Sequence, residues 1–348
     1  MPQGECLAGR SEITGRAMKY HIAKGSLAEA LVMPLYSRYV CSLRYPHHFT
    51  DPGLERIFAL LDYDFERRRK LLESPMGSFA ALEMAQRHDA MVWEVREYLQ
   101  THPWASLVNL GCGLDDTFAQ VATATCHGYH VDKPEVIALR ARLFPPARNE
   151  TFIPADPARC DWVEKVGASH GVMVFAAGLF PSLTNSQVQQ IVYTLSHRFA
   201  GGVLVFDACN HRGAKLLHGG KKGQRGSEAD APFCLDREES AKDWSGRIQS
   251  VTARSCMRGY QDLEKEVGWL SKALIRFCET VIDFRIVKIR FQSQVSPYPK
   301  GAEPSTVASD RGGTDVQTDA TLQATDYRRG VRENPAGGAS WGARGMGG

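Results

Sequence analysis

No apolar segment of this sequence approaches the ~20 residues that a membrane-spanning helix requires, so membrane insertion is not expected. A dominant charge is missing too: 42 Lys and Arg stand against 39 Asp and Glu, for a net charge of +3. Nucleic-acid binding normally needs a concentrated basic face, and no such partner is expected. There is no G-x-S-x-G elbow and no P-loop, which leaves a triad hydrolase or a P-loop nucleotidase without support. The nine cysteines include no C-x-x-C pair, and no N-terminal apolar run resembles a signal peptide, so they read as reduced thiols of a cytoplasmic protein. His127 and His130 have H-x-x-H spacing and His47 and His48 are adjacent, but no acid or cysteine stands at metal-ligand spacing. On a strand an i,i+3 pair faces opposite sides, so no metal is expected.

What the chain does have is enough length and apolar content, 348 residues at 43% hydrophobic, for one large α/β domain. Its organising stretch is Val108-Asn109-Leu110-Gly111-Cys112-Gly113-Leu114-Asp115. Residues 104–110 form a short apolar run suited to a buried parallel strand, and the glycines follow at once. Glycine tolerates positive φ and lets a ligand come close to the backbone. Asp115 stands where a helix N-cap would, ahead of residues 117–122, so unpaired backbone N–H groups would face the turn. G-x-G after a strand is also an ordinary tight turn, and the residues beyond it decide between the two. His127-Gly128-Tyr129-His130-Val131-Asp132 is a second strand candidate, and it ends in an acid about 20 residues past the glycines, where a ribose-binding carboxylate is needed. The third glycine of the dinucleotide fingerprint is absent, since Asp115 and Asp116 follow Leu114, which argues for a nucleoside without a diphosphate and against NAD.

These residues, with Val131-Asp132-Lys133-Pro134-Glu135-Val136 and the helix after them, resemble the leucine carboxyl methyltransferase family, in particular its tetracenomycin-type polyketide O-methyltransferases. The similarity extends from Thr14 to about Gln294. It implies a class I methyltransferase fold: a Rossmann-like, twisted, mostly parallel sheet with helices on both faces and an N-terminal helical cap. It also implies S-adenosylmethionine (SAM) as cofactor. The expected organisation is a flexible N-terminus (1–16), a helical cap (17–103), a SAM-binding α/β core (104–295) and a disordered tail (296–348).

In the cap, residues 27–40 are apolar at helical spacing and broken by Pro34; residues 54–72 form a second helix ending in the basic run 66–70, read as a solvated face; residues 78–99 form a third. The resemblance places Arg38 near the methionine carboxylate and Arg87 in pairing contact with it. Each also reads as a surface arginine. Helix 134–144 has Pro at its first turn and Glu135 as a possible cap, and strands follow at 150–154, 171–176 and 202–207, with a helix at 185–199. Asp156 matches the family's acid for the adenine amino group, and equally a helix cap before Pro157. The basic, glycine-rich connection 211–226 reads as a mobile segment or a lid. Residues 261–279 are helical and 281–291 alternate as a half-buried strand.

Two departures from the family pattern stand out. Its strand-end acid is Ala177 here, beside the cofactor, and its following tyrosine is Ser182; the arginines of its D-T-R-x-x-R stretch are Thr117 and Gln120. The expected cofactor-binding set is therefore Arg38, Arg87, Gly111, Cys112, Gly113, Asp132, Asp156 and Ala177. No catalytic residue is assigned, with Asp207 and His211 candidates only by their place at the sheet edge. The expected function is SAM-dependent methylation of a carboxyl or phenolic oxygen on a small, polyketide-like acceptor. The alternative is a non-catalytic relative retaining a nucleoside pocket as a binding or regulatory module. Oligomeric state is open.

Overall fold

The computed structural model describes residues 19–51, 53–217, 231–257 and 263–293. The expected flexible N-terminus, the tail from 296 and the glycine-rich stretch 219–226 lie outside the described residues.

The cap begins with β1 (Tyr20–His21), which pairs in parallel with β2 (Leu61–Asp62). Between them run α1 (Leu27–Arg44) and α2 (Leu54–Ala59). Ser26 starts α1 by accepting a hydrogen bond from the Glu29 N–H at 3.2 Å. The expected break at Pro34 does not occur, because α1 continues through it for 18 residues. Proline removes one backbone donor, the one aimed at the Ala30 carbonyl, while buried Val32, Leu35, Tyr36 and Cys41 keep the helix packed on both sides of it. The single helix expected over 54–72 is instead α2, β2 and α3 (Phe65–Glu73). Leu61 is buried in the cap core, and the Asp64 carboxylate accepts from the Arg67 N–H, starting a new helix. No residue of α3 is buried, in keeping with a solvated basic face, although Arg68 also donates to Glu29 and Tyr63.

The next helix, α4 (Pro75–Thr101), has 27 residues, with Ser74 accepting from the Gly77 N–H at 3.1 Å and Pro75 in its first turn. Its first half packs Phe79, Leu82 and Ala85 into the cap, and its second half packs Ala90, Val92, Val95 and Leu99 against the sheet. It thus belongs to both layers and fixes the cap to the core.

Seven strands form the main sheet: β3 (Ser106–Leu110), β4 (His127–Asp132), β5 (Glu150–Pro154), β6 (Val172–Ala176), β7 (Val203–Ala208), β8 (Ile248–Ser255) and β9 (Arg285–Phe291). Their order is β5-β4-β3-β6-β7-β9-β8. The first five are parallel, and β9 runs antiparallel to both β7 and β8. Strand β8 has no counterpart among the expected elements: only Ile248 of its eight residues is buried, so this edge strand has no apolar alternation. The other elements are α5 (Thr117–Val121), α6 (Pro134–Leu143), α7 (Asn185–Arg198), α8 (His211–Leu217), α9 (Leu263–Glu266) and α10 (Trp269–Phe277). Residues 211–217 of the expected mobile connection are thus helical, and the helical stretch 261–279 is divided at Val267-Gly268.

The sheet is buried on both faces, and the alternation of its strands shows it. Leu107, Met173, Phe175, Val203 and Val205 pack with α4 and α5, while Val108, Val174, Leu204 and Phe206 pack with α7. The parallel order, the helices on both faces and the helical cap give the Rossmann-like α/β architecture expected. Chain order reverses on the two sides of β3, so the crevice beyond the carboxyl ends of β3 and β6 is the topological switch point, where open α/β sheets bind ligands.

Candidate functional site

A cavity of about 240 Å³ lies at that switch point. Its floor is the turn Gly111–Asp115 after β3, with Asp132 at the end of β4 on one side and Ala177, Gly178 and Leu179 after β6 on the other. The cap closes it: Ala30, Leu31, Pro34, Leu35 and Arg38 line up along one face of α1, joined by Met84, Arg87 and His88 of α4.

Gly111 has φ +68°, and a Cβ there would lie 2.8 Å from Leu179 Cδ1. The left-handed turn and the close packing over it both call for glycine. The Gly113 N–H donates to Asp132 Oδ2 at 2.8 Å and the Lys133 N–H to Oδ1 at 2.8 Å. Each carboxylate oxygen keeps a further lone pair for a vicinal diol. Burial pushes the Asp132 carboxyl up, against the pull of these two N–H groups. Buried Arg140 of α6 braces the turn by donating to the carbonyls of Gly113 and Asp115 at 3.2 and 2.7 Å. Asn109 Nδ2 and the Thr117 N–H hold Asp115 Oδ2 at 2.8 and 3.1 Å, so Asp115 takes the cap role although the helix begins at Thr117 after Asp116. Cys112 also lines the cavity, and burial pushes its thiol up to about 12, which leaves it without nucleophilic character.

Arg38 reaches the cavity wall through a buried charge cluster. Its Nη2 donates to Asp51 at 2.7 Å and to Asp116, and its Nη1 lies 2.9 Å from His88 Nδ1 and 3.5 Å from Asp115 Oδ1. Burial opposes ionisation of Asp115 and Asp116, but His88 and Arg38 outweigh it and hold both carboxyls below the usual range. At Asp51 burial wins, and its carboxyl rises to about 6. Asp51, His88 and Asp116 could each offer one ligand atom within 4.8 Å of the others. Arg38 already brings a cation to both of those carboxylates, which removes the electrostatic case for a metal there.

At the far end, the Arg87 guanidinium lies flat against Gly178, 3.3 Å from where a Cβ would sit. Its Nη1 is 3.4 Å from Asp207 Oδ2 and 3.8 Å from Glu83 Oε1. Asp207 is fully buried and its other oxygen accepts from the Gly178 N–H at 2.6 Å.

The cavity therefore brings together Arg38, Arg87, Gly111, Cys112, Gly113, Asp132 and Ala177 from the sequence-derived set. Asp156 stands apart from the cavity wall and caps the turn after β5 by accepting from the Ala158 N–H at 3.0 Å. Asp207 lies behind the wall, and His211 is an exposed surface residue paired with Asp236 at 2.9 Å, so neither candidate base faces the cavity. Glu135 makes no capping bond to α6. Sequence reasoning passed over Arg140, His88 and Asn109. The clearest signal available was Arg140, a cation at a core-facing helix position between Leu139 and Leu143.

No family model matches the chain. Among curated proteins it is similar to the tetracenomycin polyketide synthesis O-methyltransferase TcmP of Streptomyces glaucescens, 30% identical over 160 residues, or 45% of this chain and 57% of that protein. The matched part thus spans little more than half of that relative's length. Two solved structures show a loose likeness. One is the N-methyltransferase NodS from Bradyrhizobium japonicum WM9, at 11% identity and TM-score 0.38, covering 64% of this chain and 99% of that one. The other is magnesium protoporphyrin IX methyltransferase ChlM from Synechocystis PCC 6803, at 13% identity and TM-score 0.39, covering 66% and 94%.

Proposed function

We propose that this protein is a SAM-dependent O-methyltransferase of the leucine carboxyl methyltransferase type, acting on a carboxyl or phenolic oxygen of a small, polyketide-like acceptor in the cytoplasm. The observation that carries this reading is the joining of the glycine turn to Asp132 through the Gly113 N–H, at the switch point, with Arg87 at the opposite end of the same cavity. A carboxylate for a ribose diol, a glycine turn for close backbone approach and a guanidinium for a carboxylate are the recognition groups an adenosyl amino acid requires. The similarity to TcmP, whose name places an O-methyltransferase in tetracenomycin polyketide synthesis, supports the acceptor class. The cysteines among the described residues are free, in keeping with a reducing compartment.

Bound in this cavity, SAM would supply a methyl group already activated on a sulfonium centre. The protein's part is alignment and exclusion of water. Asp132 would hold the ribose, Gly111 and Gly113 would admit the thioether end close to the backbone, and Arg87 would pair the carboxylate. Leu31, Pro34 and Leu35 of α1, with Leu179, form the apolar roof that keeps water from the transfer path. A carboxylate acceptor needs no general base, which fits a cavity where neither Asp207 nor His211 is presented. Incubation with methyl-labelled SAM and a panel of aromatic acids and phenols tests the proposal. Label in an ester or ether product is the expected result, and SAM binding without transfer to any oxygen acceptor would reject it.

A further inference from the structure

Arg87 is not a free cation. Two carboxylates, Glu83 and Asp207, lie within 4.0 Å of its Nη1, at 3.8 and 3.4 Å. With both carboxyls ionised, one guanidinium against two carboxylates leaves one excess negative charge beside this end of the cavity. Solvent does little to screen it, since Asp207 is wholly buried and the Arg87 and Glu83 side chains are only 18% and 20% exposed. Glu83 Oε1 is itself buried and has no hydrogen-bond partner among the described residues. A bare anion arriving at Arg87 would meet the guanidinium and the field of two carboxylates together. A ligand carrying an ammonium beside its carboxylate would instead pair the carboxylate with Arg87 and set the ammonium in the field of the uncompensated charge.

We propose that Glu83 and Asp207, acting through Arg87, make this end of the cavity selective for a zwitterionic α-amino acid group over a simple carboxylate. Both are positioning residues: Asp207 ties Arg87 to the Gly178 backbone, and Glu83 sets the charge balance from the preceding turn of α4. The inference rests on reading the cavity as a SAM site and adds to it a reason why the amino group is recognised.

The test is calorimetric titration of three ligands into the wild type and Glu83→Gln: S-adenosylhomocysteine, its des-amino analogue with a carboxypropyl thioether, and methylthioadenosine, which lacks the charged end. Burial pushes the Glu83 carboxyl up, so the titrations run at about pH 6, 7 and 8, and the contrast between the two proteins should grow toward the alkaline end as Glu83 ionises. The wild type should prefer the zwitterion to the des-amino anion, and Glu83→Gln should narrow that preference about tenfold by binding the anion more tightly. Methylthioadenosine affinity should not change, which also shows that the variant is folded. A gain in binding is not an outcome that misfolding produces. An unchanged preference in Glu83→Gln, with all three ligands binding the wild type, would overturn this inference and leave the SAM reading standing. Failure of the wild type to bind any of the three would overturn both.

Discussion

Gly111 has two reasons to be glycine that can be separated from the mere presence of a turn: φ of +68° and a Cβ position 2.8 Å from Leu179 Cδ1. Gly111→Ala should cost about 1–3 kcal/mol from backbone strain and crowding, and weaken SAM binding by at least about tenfold. Gly246→Ala, at a position with nothing within 4 Å, is the matched control and should change neither stability nor binding in thermal and calorimetric titrations. His130 carries a different liability. It is fully buried on β4 with Nε2 3.1 Å from Glu150 and Nδ1 unpartnered among the described residues, and burial pushes its pKa from 6.5 down to about 4. The fold thus favours the neutral ring, so its contribution is complete above about pH 6.5 and is lost as pH falls toward 4, amounting to up to about 3 kcal/mol. Asp51 works in the opposite sense: its raised pKa of about 6 makes the fold gain stability as pH falls from there toward 3.8. Comparing urea unfolding of the wild type and His130→Gln across that window isolates the first effect. The variant should lack the acid-side loss, and parallel curves for the two proteins would refute the assignment. Residue identity was readable where chemistry demands one residue type, as at Gly111 and Asp132. It was not readable at Arg38 or Asp207, because a side chain's partners come from elements far away in sequence.

At the scale of elements, the joint between α1 and the turn after β3 is the one most open to test. Arg38 is shared by Asp51, Asp115 and Asp116, and its removal would leave buried Asp116 and the partly buried Asp51 and Asp115 without that cation. Arg38→Met should lose about 3–5 kcal/mol at neutral pH, and the loss should shrink as pH falls toward about 6, because Asp51 without the guanidinium takes its proton above that value. A pH-independent loss under about 1 kcal/mol in urea unfolding would show that the cluster does not hold the cap to the core. The same scale shows why some elements were legible and others were not. Strands β3 and β6 are buried on both faces and read as short apolar runs with glycine close behind, whereas β4 is marked by the acid that ends it. Edge strand β8 carries Gln249, Ser250, Thr252 and Arg254 and gives no such signal. Helix α1 outlasts Pro34 because tertiary packing outweighs one missing hydrogen bond, and the 54–73 region divides because Leu61 is drawn into the cap while Asp64 starts a new turn.

For the whole molecule, the sheet order places the carboxyl ends of β3, β4 and β6 around one crevice, and α1 and α4 of the cap wall one side of it. The two ends of that cavity differ in charge chemistry, with Asp132 at one and Arg87 set against Glu83 and Asp207 at the other. The mostly parallel sheet was expected from the family resemblance carried by the glycine turn and residues 131–136, whereas the strand order that creates the switch point was not read from the sequence. The helical cap and its Arg38 and Arg87 were expected from the same resemblance, but the partners that hold them, Asp51, Asp116, Glu83 and Asp207, were not, because they meet only in three dimensions. Among the described residues no helix is long and apolar enough to cross a membrane. The central claim is that the cavity recognises the nucleoside of SAM through Asp132. Its most direct test is calorimetric titration of SAM and S-adenosylhomocysteine into the wild type and Asp132→Ala. Micromolar binding by the wild type, on the order of −8 kcal/mol, weakened at least about tenfold in Asp132→Ala with the fold intact, is the expected result. Equal affinity in the two proteins, or no binding by the folded wild type, would contradict it.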